Sequence, residues 1–536
     1  MKRIIILICA ILSVVADAQA QDTAGVNRPR LTPVERKPTV VAGLLRGPYL
    51  QLATSTSIMI RWRTDALTRS VVHFGNAVSN LGAKAEDTAL TFEHKVQLTG
   101  LIPRTKYYYS IGGGLGDTLQ MGADNYFVTL PVPGAEGNYR IGVFGDCGNN
   151  SVNQRNVRDK VIDYLGNDKQ MDAWILLGDN AYSNGTDPEF QQKFFNVYKD
   201  NLLKKYPLFP APGNHDYNDL YRFKTSAQAS HDVAYYKNFS MPTKGEGGGI
   251  ASNTQAFYSY DIGNIHFLSL DSYGKEDGVT RMSDTLGAQV QWIKKDLEAF
   301  KNKKRGWVVA YWHHPPYTMG SHNSDKEGEL VKIRENFIQV LERYGVDLIL
   351  CGHSHVYERS KLMNGHFGME ATFNEAVHNL ATSSALYDGS KNSCPYIKDP
   401  VTNKGTVYVV TGSAGAQGGQ QPTYPHDAMY YSYNHLGGAS VLEVEGNRLE
   451  LKFINSAGEI KDHFVMMKDV NKRSTITAKK GQSITLNASF VGTYKWNKGG
   501  GTERSIRVTP PVGKTVYEVE DANNCLKDVF EVSVTR

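Results

Sequence analysis

The feature that most constrains this chain is a set of short, largely apolar runs at 140–144, 173–177, 308–311, 346–350 and 406–410. Each is too short for a helix and shows no polar alternation, which is the pattern of strands buried on both faces. Between them lie stretches with helical character at 156–165, 189–203, 288–300 and 329–344, and a hairpin over 258–270 that turns at Gly263-Asn264. Alternation of strand and helix predicts an α/β core with helices covering a sheet sandwich.

The flanking regions differ. Residues 43–131 read as strands: 57–63 partly alternates, 106–111 is rich in strand formers, and Pro131-Val132-Pro133-Gly134 marks a boundary, so a small β-sandwich is expected. From about residue 472 the composition shifts to Thr, Val, Gly and Lys, with strand-like segments at 483–486, 494–496 and 516–519. That predicts a second, immunoglobulin-like sandwich with no ionisable cluster, and hence a spacer, display or packing role. A chain of 536 residues is too long for one core, and the expected division is a leader at 1–20, a linker at 21–42, a β domain at 43–133, a catalytic domain at 138–469 and a β domain at 472–536.

The leader is read from Lys2 and Arg3, an apolar run at 4–15 and Ala18-Gln19-Ala20 as a cleavage site. Export to a periplasmic, cell-surface or extracellular location is expected, with no later spanning segment. A formal charge of +5 on so long a chain gives no electrostatic reason to expect nucleic acid or anionic lipid as a partner. Beyond the leader, Cys147, Cys351, Cys394 and Cys525 are too few to define a disulfide framework, and Cys147 and Cys351 are expected to be packed rather than ligating.

The chemistry lies in five clusters that follow strand-like segments: Gly145-Asp146-Cys147-Gly148, Gly178-Asp179-Asn180-Ala181-Tyr182, Gly213-Asn214-His215-Asp216, Trp312-His313-His314 and Gly352-His353-Ser354-His355. A single Asp after a strand is usually a turn former or a helix cap. Five clusters of metal-ligand residue types in order are another matter, because strands of parallel type would deliver them to one rim of a sheet, where α/β sites lie.

These clusters resemble the calcineurin-like metallophosphoesterases, and specifically the purple acid phosphatases. The resemblance covers Asp146 to His355, and Gly47-Pro48-Tyr49-Leu50-Gln51 is similar to the opening of that family's amino-terminal, fibronectin-III-like domain. The broader superfamily carries a His two residues after the first Asp; Gly148 stands there, and Tyr182 follows Asp179 by three, which is the purple acid phosphatase arrangement. The resemblance implies an αββα core with one metal held by Asp146, Asp179, Tyr182 and His355, and a second by Asp179, Asn214, His313 and His353, with Asp179 bridging. Oxygen ligands with a phenolate suit iron(III), and an amide with two imidazoles suits zinc, iron or manganese as the divalent ion. Residues alone leave His313 and His314 ambiguous; the family spacing to Pro315 selects His313 and leaves His314 to packing, pointing elsewhere.

By the same resemblance His215 and His322 face the substrate, bind phosphate oxygens, and one of them protonates the leaving alkoxide. Asp216 is expected to orient His215 or the backbone, or to serve the turn. The loop from Tyr424 to His435, with Gly412-Ser413-Ala414-Gly415, is a candidate pocket wall, with core capping as its alternative, and the insertion at about 362–404 is a candidate for shaping substrate access. The implied activity is acid hydrolysis of small phosphate monoesters by attack of metal-activated water. Phosphodiester or nucleotide hydrolysis on the same centre is the alternative, and an adhesive protein with a relic core is a third reading.

Overall fold

The computed structural model describes residues 42–114, 117–166, 170–217, 225–301, 306–399 and 401–536. The leader, and the linker up to residue 41, lie outside them.

Two seven-stranded sheets form the centre. In the first, Asn138–Phe144, Ala173–Leu177 and Leu208–Ala211 run parallel, and the antiparallel strands Gly438–Glu445, Arg448–Asn455 and Ile460–Met467 extend the sheet on the other side of Asn138–Phe144. In the second, Ile265–Ser269, Trp307–Trp312, Leu348–Cys351 and Val407–Thr411 run parallel, with Tyr258–Ile262 closing a hairpin turned at Gly263-Asn264. Ala173–Leu177 and Trp307–Trp312 are buried at every position, which is why their sequences lack alternation. The sheets meet where Phe209 stacks on Tyr260 with centroids 3.9 Å apart and Ser440 Oγ donates to Thr411 Oγ1 at 3.0 Å.

Two element bounds need correction, and one expected strand is disguised in the sequence. The strand expected at 346–350 is Leu348–Cys351, because Val346 and Asp347 still belong to the turn that leaves Gly345 in the left-handed region at φ 72°. The helix expected over 189–203 ends near Tyr198 and includes a wider, π-type turn at Phe190–Phe195, which buries Phe190, Phe194 and Phe195 together. The strand before Asn214 is Leu208–Ala211, which contains Pro210 and therefore does not read as a buried run; it lies at a sheet edge, where a missing N–H is tolerated.

The amino-terminal strands hydrogen-bond into one six-stranded sheet rather than two separate ones. The 18-residue strand Ile58–Gly75 makes this possible: a register shift between Arg63 and Ser70 lets its first half pair with Leu44–Gln51 and its second half with Lys106–Gly114. This sheet is docked on the centre by buried charge. The Arg46 guanidinium, fully buried, donates to Gln191 Oε1 at 2.7 Å, Asn238 Oδ1 at 2.6 Å and Asp187 Oδ1 at 3.0 Å, and lies 3.9 Å above the Phe195 ring.

At the carboxyl end, Arg473–Lys479, Lys527–Thr535, Gly513–Glu520 and Lys495–Trp496 form one sheet, and Ile484–Asn487 pairs with Ser505–Val508 in another. They enclose a separate core around Leu486, Phe490, Trp496, Val519 and Val532, which Val465 and Met467 of the central sheet enter. Cys394 is disulfide-bonded to Cys525, so the insertion is tied covalently to this carboxyl-terminal unit, and its strand Tyr396–Ile397 also pairs with Ile460–Met467. Cys147 and Cys351 are free and buried.

Candidate metal centre

Asp146 and Asp179 each sit two residues past the ends of Asn138–Phe144 and Ala173–Leu177 in the first sheet, and His313 and His353 follow Trp307–Trp312 and Leu348–Cys351 by one and two residues in the second. The clusters thus gather where strand ends of two sheets meet, not on the rim of one. Neighbouring motifs are stitched together through the backbone: Asp146 N donates to Gly178 O at 3.2 Å, Tyr182 N to Gly148 O at 2.8 Å and Gly352 N to His313 O at 3.0 Å.

Such close approach requires glycine. A Cβ at Gly148 would lie 1.8 Å from the Asn180 carbonyl oxygen, and one at Gly213 would lie 2.2 Å from Asp179 Oδ1. No side chain fits at Gly148, so this strand end supplies one donor, Asp146. Asp146, Asp179 and His353 themselves adopt left-handed backbone conformations, with φ of 55°, 52° and 66°. Each costs about 1 kcal/mol relative to an ordinary conformation, and the surrounding packing must hold it there.

The side chains form two adjoining groups. Tyr182 OH donates to Asp146 Oδ1 at 2.8 Å and lies 3.1 Å from His355 Nε2, which is 3.5 Å from Asp146 Oδ1. His313 Nε2 lies 3.3 Å from Asp179 Oδ2 and 3.2 Å from His353 Nδ1. Donor atoms of Asp146, Asp179 and His313 all fall within 4.8 Å of one another, which joins the groups. Asn214 is buried beside them, and the next residue, His215, donates its backbone N–H to Asp179 Oδ1 at 2.9 Å. The His215 ring is fixed by Nδ1–H donating to Ser183 O at 2.6 Å and lies 4.7 Å from the Tyr182 ring.

Burial and crowding set the proton balance. Burial pushes the Asp179 carboxyl up, but the imidazoles of His313, His215 and His353 outweigh it and hold Asp179 below the carboxylate range. Burial lowers His313, yet Asp179 and Asp146 raise it to about 9; His353, burdened by burial and by its neighbouring imidazoles, falls to about 4. The Tyr182 phenol is pushed up by burial and by Asp146 and Asp179.

Several surrounding residues differ from expectation or were not foreseen. His314 does not point away: its ring lies 4.4 Å from that of His353 and is held by Nδ1 to Ser272 Oγ at 2.8 Å. Asp216 acts on the backbone, accepting from Gly213 N at 2.8 Å, Asn180 N at 3.1 Å and Asn180 Nδ2 at 2.9 Å, so that it ties the Asp179 and Asn214 loops together. The segment that touches the centre is 414–418 rather than the Tyr-rich loop: Ala416 N donates to Asp146 O at 3.0 Å and Gly418 N to His355 O at 3.0 Å, whereas the strand Met429–Tyr433 packs on Tyr357–Ser360. Glu189 accepts from Ser183 N at 2.7 Å and Asn184 N at 3.1 Å, and Lys193 donates to the Tyr182 carbonyl, so an ion pair on the adjoining helix shapes the Tyr182 loop.

His322 is placed with its ring 3.7 Å from that of His353, and its Nδ1 contacts Glu327 at 2.9 Å. Burial raises the Glu327 carboxyl, but His322 and His353 more than reverse this and hold it below the carboxylate range. No sequence signal marked Glu327, which lies in a charged stretch, Asp325-Lys326-Glu327-Gly328-Glu329, of ordinary solvent-facing character.

Residues 139–357 match the family described as Calcineurin-like phosphoesterase, and residues 46–129 match the family described as Purple acid Phosphatase, N-terminal domain. The chain is similar to Purple acid phosphatase 15 of Arabidopsis thaliana, at 29% identity over 54% of this chain and 57% of that protein, so the match spans little more than half of the relative. It is also similar to Acid phosphatase type 7 of Homo sapiens, at 28% identity over 67% of this chain and 75% of that protein. Among solved structures, a purple acid phosphatase from yellow lupin (Lupinus luteus) seeds superposes with a TM-score of 0.60 at 19% identity, over 79% of this chain and 74% of that chain; this is a likeness of fold.

Proposed function

We propose, from the premise that this chain belongs to the purple acid phosphatases within the calcineurin-like phosphoesterases, that it hydrolyses phosphate monoesters at a dinuclear metal centre. The observation that carries this reading is the convergence of Asp146, Asp179 and His313 donors within 4.8 Å, flanked by Tyr182 and His355 on one side and His353 on the other. Asp146, Asp179, Tyr182 and His355 would hold one cation, and Asp179, Asn214, His313 and His353 the other. The donor set fits a mixed pair: carboxylates and a phenol suit a hard trivalent ion such as iron(III), and an amide with two imidazoles suits zinc, iron or manganese(II). When bound, the pair supplies Lewis acidity that neutralises phosphate charge and makes water nucleophilic, and its charge favours the phenolate of Tyr182.

The chain's own residues do the rest. His313 Nδ1–H donates to Leu177 O at 2.9 Å, which fixes the tautomer and turns the Nε2 lone pair inward. His353 is held by its backbone N–H donating to Asp146 Oδ2 at 2.9 Å. His215, with Nδ1 engaged by Ser183, presents Nε2 to phosphate oxygens. His322, with Nδ1 engaged by Glu327, presents Nε2 to the leaving oxygen and gives it a proton.

The test is colour together with turnover. Holoprotein carrying a tyrosinate–iron(III) pair absorbs visible light, and Tyr182→Phe bleaches it; a colourless holoprotein that cleaves p-nitrophenyl phosphate refutes the iron assignment. A panel of sugar phosphates, phosphopeptides, nucleotides and diesters separates monoester from diester or nucleotide hydrolysis.

The reading extends to organisation: a fibronectin-III-like domain at 43–133, the catalytic domain at 138–469, an immunoglobulin-like domain at 472–536, and export after removal of residues 1–20. Supporting export is the Cys394–Cys525 bond, since disulfides persist in oxidising compartments. Among the described residues no helix is long and apolar enough to cross a membrane.

A further inference from the structure

Resting on the phosphatase reading above, we infer that Glu327 is a positioning residue that binds the metal-side imidazole of His353 and the leaving-group-side imidazole of His322 into one rigid unit. Its Oε2 lies 2.9 Å from His322 Nδ1 and 3.3 Å from His353 Nε2, while Oε1 lies 3.0 Å from His322 Nδ1 and accepts from Asn323 N at 2.9 Å. The two rings it links lie against each other, 3.7 Å between centroids and tilted by 32°. His353 is therefore held at both nitrogens, with Nδ1 turned to His313 Nε2 at 3.2 Å and Nε2 turned to the carboxylate.

This arrangement meets two separate needs. A metal-ligating histidine is oriented by giving its other N–H to a carboxylate, which fixes tautomer and ring angle. A general acid works only when held within hydrogen-bond reach of the leaving oxygen, and small displacements are costly. Both needs are served by a single side chain, so the angle of the acid is set against the ligand rather than only against the loop that carries it. Helix capping is the ordinary use of a residue in this place, since Glu327 stands at the N-cap of Gly328–Lys332; its side chain makes no capping hydrogen bond. Only a carboxylate can accept from two rings and an amide at once: glutamine offers a single acceptor oxygen.

The experiment uses metal-loaded full-length enzyme with Glu327→Gln, His322→Ala and the double variant, reading metal content per chain and kcat and KM on an alkyl phosphate and on p-nitrophenyl phosphate. Glu327→Gln is expected to keep its metal and its KM while kcat on the alkyl ester falls about 10- to 100-fold and the activated ester loses far less. At matched metal content, the double variant should be no slower on the alkyl ester than His322→Ala alone, because the remaining rate effect of Glu327 acts through that one proton donor. Losses that multiply in the double variant, or a Glu327→Gln that is equally slow on both esters, would overturn the inference. A wild-type rate for His322→Ala on alkyl phosphates defeats the assignment of His322 and this inference with it; a slow His322→Ala beside an unimpaired Glu327→Gln defeats this inference alone.

Discussion

Two buried clusters in this molecule are built from the same materials, imidazole and carboxylate, and behave differently. Around His266 both ring nitrogens are engaged: Nδ1 bonds Asp261 Oδ1 at 2.6 Å, Nε2 bonds Asp296 Oδ2 at 2.6 Å, and Asp296 Oδ1 also accepts from Ile250 N and Ser259 Oγ, each at 2.8 Å. Burial lowers His266, but the two carboxylates raise it to about 9, so the cluster is a closed ion triad that joins a hairpin to the helix Ala288–Lys301. At the candidate centre, ring nitrogens face each other and face carboxylates: His353 Nδ1 lies 3.2 Å from His313 Nε2, which lies 3.3 Å from Asp179 Oδ2, and His313 and His353 are pushed in opposite directions. Burial and residue type do not separate a scaffold from a site. Whether donors and acceptors close on themselves does.

The sharpest way to break this contrast is Asp179→Ala. It should lose metal and lower phosphatase activity by about 10³-fold or more while the fold survives, as measured by metal analysis and hydrolysis of p-nitrophenyl phosphate. A folded variant that keeps both metal and rate would show that the centre is as closed as the His266 cluster.

The second test acts on the closed cluster. Because folding raises the His266 pKa from its ordinary value near 6.5 to about 9, its contribution to stability is complete below about pH 6.5 and is lost as pH rises through 9. The ceiling is about 3 kcal/mol. Denaturant melts at pH 6.5 and 9.5 should show this fall in wild type and not in His266→Asn, which is itself destabilised by leaving two buried carboxylates without their cation. Metal content of the folded fraction should not change.

The smallest effect is expected at the edge of the open cluster: His322→Ala keeps its metal and slows esters with poor leaving groups by about 10²-fold, sparing p-nitrophenyl phosphate. Equal slowing of both esters would move His322 from proton donor to phosphate binder.

Most of the strands that feed the centre were legible because burial on both faces leaves an apolar run, and the clusters were legible because they follow strands at once. The bounds of Leu208–Ala211 were not, since Pro210 interrupts the apolar run of an edge strand. Glu327 was not, because an acidic residue at a helix start looks like solvent-facing charge until its partner His353, 26 residues away, is known. The Cys394–Cys525 bond spans 131 residues, a distance at which spacing carries no information. His314 differs from expectation because the family spacing to Pro315 says which histidine ligates but not where its neighbour turns, and the bond to Ser272 holds the second ring against that of His353.

Three of the convergent residues, Asp146, Asp179 and His353, hold left-handed backbone conformations that glycine would adopt freely. A glycine at any of them would relax the chain locally and delete a donor in the same stroke. Selection or engineering for heat resistance alone would therefore drift toward a sturdier, inert protein, and a stabilisation campaign on this scaffold has to be screened for turnover at every round.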